Sequence, residues 1–328
     1  MLSNRAAEVA AIPAGVEGAK CGSDKLSQDS PKSVTKTDAL LRLFRDLNVW
    51  RRGDQRAPHK PLLVLYALGQ LQSGAERLIP FDQLEGPLTK LLEQFGPPRR
   101  SFHPELPFHH LQRDGVWEIE EKVPLTRRKG SKNPLRSELR KWSITGGFPQ
   151  PLFQDLKDRP EAVREIARQL LAAHFPDSLH SAIADATGLL LDTVNRSSRR
   201  DPEFRATVIS AWGHRCAFCG FGIQLDNADL GLEAAHIRWC QYGGPDTQDN
   251  GLACCSLHHQ AFDRGAVTIS DELKILVSSR LHGNSSFESL FLALHRAPLR
   301  MPNLKDAHPR RDFLVWHRSE VFRGEARD

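Results

Sequence analysis

Four candidate metal ligands constrain this chain more than any other feature. Cys216-x2-Cys219 is answered, after a long gap, by Cys255-x2-His258. A two-residue spacer lets a tight turn aim both side chains at one point. Two such pairs supply the four nitrogen and sulfur ligands of a closed, structural zinc site. Cys254 competes for one corner, but Cys254-x3-His258 is the less usual spacing, so Cys254 is expected to be a buried neighbour, as is Cys240. Of six cysteines, Cys254 and Cys255 are adjacent and Cys21 lies alone in a polar arm. That layout favours reduced, metal-binding thiols over disulfides and a cytoplasmic location.

If His258 serves zinc, the next residue cannot share that ion. Consecutive helical residues diverge by about 100°. His259 and Asp263 stand four apart on one helical face, half of a site for an oxygen-loving divalent metal. Upstream, His236 ends the short strand LEAAHIRW and Asn250 precedes the helix that begins near Ser256.

His236, Asn250 and His259, in that order, resemble the HNH or ββα-metal nuclease motif, in the McrA-like branch that also carries zinc pairs. The resemblance implies three catalytic roles. His236 is the general base that deprotonates a water attacking the scissile phosphate, a task suited to imidazole. Asn250 braces the loop that orients the base. His259 and Asp263 hold Mg2+ or Mn2+, which stabilises charge on the phosphate and the leaving oxygen. Many HNH enzymes place a further metal ligand immediately before the base. Here that position is Ala235, and Glu233, on the same strand face, is the candidate to reach the ion through water.

The remaining sequence divides into an arm at 1–36, a first domain at 37–176, a linker region at 177–201 and a second domain at 202–328 that includes a C-terminal extension. The arm is rich in Ala, Gly, Ser, Lys and Asp without periodicity, and is expected to be disordered. ALLRLFRDLNVW, PHKPLLVLYALGQLQSG and the stretch from Asp158 to His174 read as helices. FDQLEGPLTKLLEQFG reads as a helix interrupted at Gly86-Pro87. PFHHLQRDGVWEIEEKV reads as a β-hairpin turning at Asp114-Gly115. VTIS and LKILVS flank Asp271-Glu272 as a second hairpin. The most linker-like stretch is DTVNRSSRRDP. No run of eighteen apolar residues exists, so no membrane span is expected. The net charge of +5 permits a polyanionic partner without requiring one. The fold class expected is α+β: a mixed α/β DNA reader followed by a zinc-stabilised ββα-metal nuclease domain.

RRGDQRAPHKPLLVLYALGQL, followed by HPELPFHHLQRDGVWEI, resembles the sulfur-binding domain of McrA-like restriction enzymes, which recognises phosphorothioated DNA and is found fused to HNH domains. Sulfur is larger, more polarizable and less well hydrated than oxygen. A pocket preferring it should be partly apolar, with cationic or N–H donors on the rest of the phosphate. By that register the phosphorothioate pocket is His59, Lys60, Leu106, Pro107 and His110, with Leu106 where a tyrosine is common. DNA-contact candidates are Arg52, Arg56, Arg100, Ser101, His103, and Arg127, Arg128 and Lys129 of a basic loop expected to be flexible.

The expected activity is therefore that of a modification-dependent, type IV-like restriction endonuclease of bacterial cytoplasm, acting on phosphorothioated double-stranded DNA with structural Zn2+ and catalytic Mg2+ or Mn2+. Cutting both strands calls for a homodimer. The alternatives are an HNH nuclease reading another mark such as methylcytosine, and a catalytically degenerate, zinc-stabilised DNA-binding protein.

Overall fold

The segment from Pro61 to Gly69 is apolar on every side, and a helix of that kind belongs inside a core. In the computed structural model, which describes residues 35–50, 53–191 and 202–328, it is the centre of the first domain. A capping box of Thr35 and Asp38 opens α1 (Lys36–Arg45). The central helix is α2 (His59–Gln72), with Leu62, Leu63, Val64 and Leu65 wholly buried. It is followed by β1 (Leu78–Pro80), α3 (Phe81–Phe95), α4 (Glu105–His110), β2 (Glu118–Glu120), α5 (Arg136–Lys141) and β3 (Thr145–Gly147). Three more helices, α6 (Gln150–Lys157), α7 (Pro160–His174) and α8 (Asp177–Thr187), complete the domain. The strands form one antiparallel sheet in the order β1-β3-β2. A Cβ at Gly69 would lie 1.9 Å from the Thr187 carbonyl, so glycine is what allows the end of α8 to reach α2.

Three expectations fail here. The hairpin at Asp114-Gly115 does not form. Its expected first strand is α4 plus a 3-10 turn (Leu111–Asp114), and Gly115 stops that turn at φ 72°. Burial decides this: Phe108 packs edge-on against Phe81 and Trp117, at 5.0 and 5.9 Å between ring centres. β2 then pairs with β3 rather than with its neighbour in sequence. Asp114 instead accepts from the Asn48 N–H at 2.7 Å and from Lys60 at 2.5 Å. The second failure is α3, which runs unbroken through Pro87. Gly86 has no Cβ to clash with the proline ring, and the buried stripe of Phe81, Leu84, Leu88, Leu91, Leu92 and Phe95 holds the helix together. Third, most of the expected linker is structure. α8 buries Leu179, Ile183 and Ala184 against the first domain. The polar stretch 192–201 and the arm 1–34 lie outside the described residues.

The second domain starts with α9 (Pro202–Ala211) and a small hairpin, β4 (Ile223–Leu225) and β5 (Ala228–Leu230). Next come β6 (Leu232–His236) and β7 (Gly251–Cys255), antiparallel from Leu232↔Cys255 to His236↔Gly251, and α10 (Ser256–Asp263). This is the expected strand-strand-helix unit. β8 (Val267–Ile269) and β9 (Ile275–Val277) make the expected second hairpin, then α11 (Ser285–Leu290) and α12 (Arg311–Glu320) close the chain. Among the described residues no helix is long and apolar enough to cross a membrane.

α12 also binds the first domain. Arg56 was an expected DNA contact, but it is only 2% exposed. Its backbone N–H donates to the Glu320 carboxylate (2.9 Å), and its guanidinium donates to the Glu320 and Phe95 carbonyls (2.9 and 2.7 Å) and lies 4.0 Å over the Trp239 ring. Arg56 is a strut between the domains rather than a DNA contact. Leaving a buried carbonyl without its donor costs about 1–3 kcal/mol, and the guanidinium serves two of them. Arg56→Ala should lower the thermal midpoint by several degrees, and an unchanged midpoint would remove this strut from the account.

His317 gives the fold an acid limit. It is fully buried, stacks on Phe262 at 3.7 Å and bonds to the Phe262 carbonyl and the Thr268 hydroxyl. Burial holds its pKa down at about 3, against an ordinary 6.5. The unfolded chain takes up a proton that the folded chain refuses. Stability therefore falls as pH drops from about 6.5 toward 3, by about 1.4 kcal/mol per pH unit from this group. Denaturant midpoints measured from pH 7 to 5 should decline, and more shallowly in His317→Gln. Equal slopes would exclude His317 as a cause.

Candidate active and metal centres

The strand-to-helix junction at Cys255 and Ser256 builds two adjacent centres. Cys216 and Cys219 flank a tight turn, Cys255 ends β7, and His258 occupies the first turn of α10. Their ligand atoms all lie within 4.8 Å of one another. Cys216 Sγ and Cys255 Sγ are 3.9 and 3.1 Å from His258 Nδ1, and Cys219 Sγ is 4.0 Å from Cys255 Sγ. Those edges suit a tetrahedron with metal–sulfur bonds of about 2.3 Å. His258 Nε2 donates to the Leu290 carbonyl at 3.1 Å, which leaves Nδ1 facing the cluster. Burial lowers the pKa of His258, but hydrogen bonds donated to Cys216 and Cys219 outweigh it and raise the value to about 10. Hydrogen bonds from Cys219 and Cys255 pull the Cys216 thiol strongly down. Three sulfur atoms and one imidazole nitrogen converging on one point are the donor set and geometry that fit a zinc ion. Cys254 points to the other strand face, fully buried, where desolvation raises its pKa. It is a neighbour and not a ligand by position.

On the other side of the α10 N-terminus stands the HNH set. Asn250 is wholly buried, its amide oxygen accepting from Arg238 N–H at 2.9 Å and its NH2 donating to the Arg238 and Pro245 carbonyls at 3.0 and 2.9 Å. It therefore clamps both ends of the loop that follows His236. Gly244 belongs to the same tight loop, since a Cβ there would lie 1.8 Å from the Arg238 carbonyl. His236 stacks on Phe204 with ring centres 4.0 Å apart. Its Nε2 is 2.7 Å from Asp246 Oδ1 and 3.3 Å from Cys240 Sγ. Among the described residues no hydrogen-bond partner is placed on its Nδ1.

His259 lies between two carboxylates. Nδ1 is 2.5 Å from Glu233 Oε2, and Nε2 is 3.1 Å from Asp263 Oδ2. Burial would lower its pKa, but the Asp263 charge outweighs burial and raises it to about 9. Asp263 is fully buried; burial pushes its carboxyl pKa up, yet the His259 charge leaves it below the ordinary value. Asp263 also accepts from Ser178 of α8, while its Oδ1 has no hydrogen-bond partner. An orphaned, buried carboxylate oxygen beside an imidazole nitrogen suits a cation. Ala235 is buried and offers no ligand. Glu233 meets the ring nitrogen opposite Asp263. It is placed to orient His259 from behind rather than to reach an ion on the Asp263 side.

The pocket candidates of the first domain fall on two helices that pack together. His59 and Lys60 open α2, and Leu106, Pro107 and His110 belong to α4. His59 is held down at about 4, first by burial and then by the Arg99 charge. His110 is lowered by burial and then by Arg113 and Lys60. Lys60 is already paired with Asp114, and Pro107 is buried. Arg100 and Ser101 are exposed, and Ser101 is bonded to His103. The basic loop is tied down, contrary to expectation: Arg127 pairs with Glu121, Arg128 with Glu105, and Arg128 N–H donates to the Asn133 carbonyl at 2.8 Å. Lys129 is exposed, and Arg52 lies outside the described residues.

Asp246, Cys240 and Ser178 were missed by reading the sequence. The His236-x3-Cys240 spacing and the GGPD turn were local signals for the first two. Ser178 carries no local signal, because 85 residues separate it from Asp263.

Two family models match, and both fit this geometry. Residues 37–192 match the ScoMcrA-like DNA sulfur-binding domain, and residues 216–270 match the HNH endonuclease model. The chain thus carries a region similar to the DNA sulfur-binding domain, followed by a region similar to the HNH endonuclease domain. Solved structures similar to it include the sulfur-binding domain of ScoMcrA complexed with phosphorothioated DNA (26% identity, 48% of this chain and 97% of that one, TM-score 0.40). Another is the type IV phosphorothioation-dependent restriction endonuclease ScoMcrA (26%, 48% and 33%, TM-score 0.39), of whose length this chain spans about a third. A third is the modification-dependent TagI restriction endonuclease (28%, 41% and 41%, TM-score 0.30). No curated protein matches the chain.

If the cysteine–histidine cluster holds the HNH domain together through zinc, removing the ion should unfold that domain while the sulfur-binding core survives. Cys216→Ser or prolonged chelation should abolish the second domain's thermal transition as the cluster's zinc is lost. Loss of zinc with both transitions intact would refute a structural role.

Proposed function

We propose that this chain is a restriction endonuclease that captures phosphorothioated duplex DNA with residues 37–192 and hydrolyses a nearby phosphodiester with its HNH domain. What carries the reading is a DNA sulfur-binding domain joined in one chain to a clamped His236, Asn250 and His259 set. Asp246 keeps the proton on His236 Nε2, so Nδ1 accepts the proton of the attacking water. Asn250 holds the loop that aims the ring. His259 and Asp263 hold Mg2+ or Mn2+, which supplies charge stabilisation to the phosphate. Zinc sits at Cys216, Cys219, Cys255 and His258. His59, Lys60, Leu106, Pro107 and His110 receive the modified phosphate, and Arg100, Ser101, His103, Arg127, Arg128 and Lys129 flank it along the DNA. The chain acts in the cytoplasm as a homodimer, one nuclease domain for each strand.

A second reading has one observation in its favour. Ser178 of α8 covers Asp263, whose side chain is 1% exposed, so a phosphate cannot reach the pair while α8 stays in place. In that reading the chain binds sulfur-marked DNA without cutting it.

One assay separates them. Duplexes with a single Rp phosphorothioate, with no modification, or with methylcytosine are incubated with Mg2+ or Mn2+. Sulfur-dependent cutting should appear and fall by at least about 100-fold in His236→Ala. Equal cutting of all three substrates would reject the sulfur reader. Sulfur-dependent binding with no cutting would establish the second reading.

A further inference from the structure

The zinc cluster uses three of the five cysteines described, and Cys254 is sealed in the core. Cys240 is different. It opens a 3-10 turn (Cys240–Tyr242) immediately after the buried Trp239, and its sulfur faces the proposed base. Cys240 Sγ is 3.3 Å from His236 Nε2 and 3.6 Å from Asp246 Oδ1, and Nε2 is 2.7 Å from the same oxygen. These three atoms are the second group among the described residues whose ligand atoms lie within 4.8 Å of one another.

The two sulfur edges are near those spanned by ligands of one ion at metal–ligand distances of about 2.0 to 2.3 Å, and the imidazole–carboxylate edge, a hydrogen bond here, would open by about 0.6 Å around the ion. The donors are an imidazole, a thiol and a carboxylate. A thiolate favours borderline-soft ions such as Zn2+ and disfavours Mg2+, which prefers oxygen. The loop is held in advance: Asn250 clamps its ends, and Gly243 takes a left-handed conformation at φ 81°. His236 and Asp246 remain 21% and 15% exposed, so an ion can enter and its fourth position faces solvent.

We propose that His236, Cys240 and Asp246 form a second transition-metal site, distinct from the four-ligand cluster, and that zinc bound there switches the nuclease off. An ion on Nε2 replaces the proton that Asp246 holds there. The neutral ring then carries its proton on Nδ1 and has no lone pair left to accept one from water. The inhibitory part rests on His236 being the base, whereas the binding part does not.

The test uses the full chain and zinc itself. Wild type and Cys240→Ala are equilibrated with Zn2+ buffered by a competing chelator, and zinc per chain is measured by elemental analysis. Wild type should hold one more zinc than Cys240→Ala, whatever the occupancy of the four-ligand cluster. Equal zinc content would overturn the site, with or without nuclease activity. With Mg2+ supporting cleavage, zinc beyond that held by the four-ligand cluster should inhibit wild type, and Cys240→Ala, measured against its own activity before zinc is added, should need at least tenfold more. An extra zinc with equal inhibition of both forms would overturn the switch. A chain that cuts no DNA at all rejects the nuclease reading, and the zinc count still decides the site.

Discussion

The convergence of Cys216, Cys219, Cys255 and His258 is the constraint on which the nuclease domain depends. It joins the buried turn at Cys216–Cys219, the end of β7 and the start of α10, whose Phe218, Leu252 and Phe262 also pack into one core. Once α10 is anchored through His258, the helical repeat turns His259 about 100° away, toward Glu233 and Asp263. Neighbouring histidines thus serve different centres because one helix has only one geometry. The antiparallel register of β6 and β7 then sets His236 opposite Gly251, beside Asn250.

A second constraint is the clamp made by Asn250. A buried amide can be satisfied only if the loop returns to it, and here three backbone groups of Arg238 and Pro245 do so. That return brings Cys240 and Asp246 to one nitrogen of His236. The same loop therefore fixes the ring's orientation and surrounds it with metal-binding donors.

The domains share buried interactions that bear on chemistry. Arg56 lies against Trp239 and is bonded to Glu320, and Ser178 is bonded to Asp263. A shift of α8 would alter the surroundings of the His259 and Asp263 pair directly. Reader and nuclease are therefore in contact through side chains at the proposed metal site, and not only through the chain connecting them.

Much was legible in sequence where the signal is local. Cysteine pairs, an i, i+4 histidine–aspartate pair and an apolar helix are determined by spacing alone, since helix and turn geometry repeat. The ββα unit and the convergence of Cys216, Cys219, Cys255 and His258, without Cys254, follow from it. What sequence could not decide was whatever depends on distant partners. The Asp114-Gly115 pair ended a helical turn because Phe108 had a core to fill, and Pro87 stayed within a helix because its apolar stripe outweighed one lost hydrogen bond. Arg56 was drawn inward by Trp239 and Glu320, Ser178 reached Asp263 across 85 residues, and Glu233 took the far nitrogen of His259. Residue spacing alone determined which side chains could share a helix face or a turn. Only the packing of separate elements decided which of them meet, because burial and desolvation act on the whole chain at once.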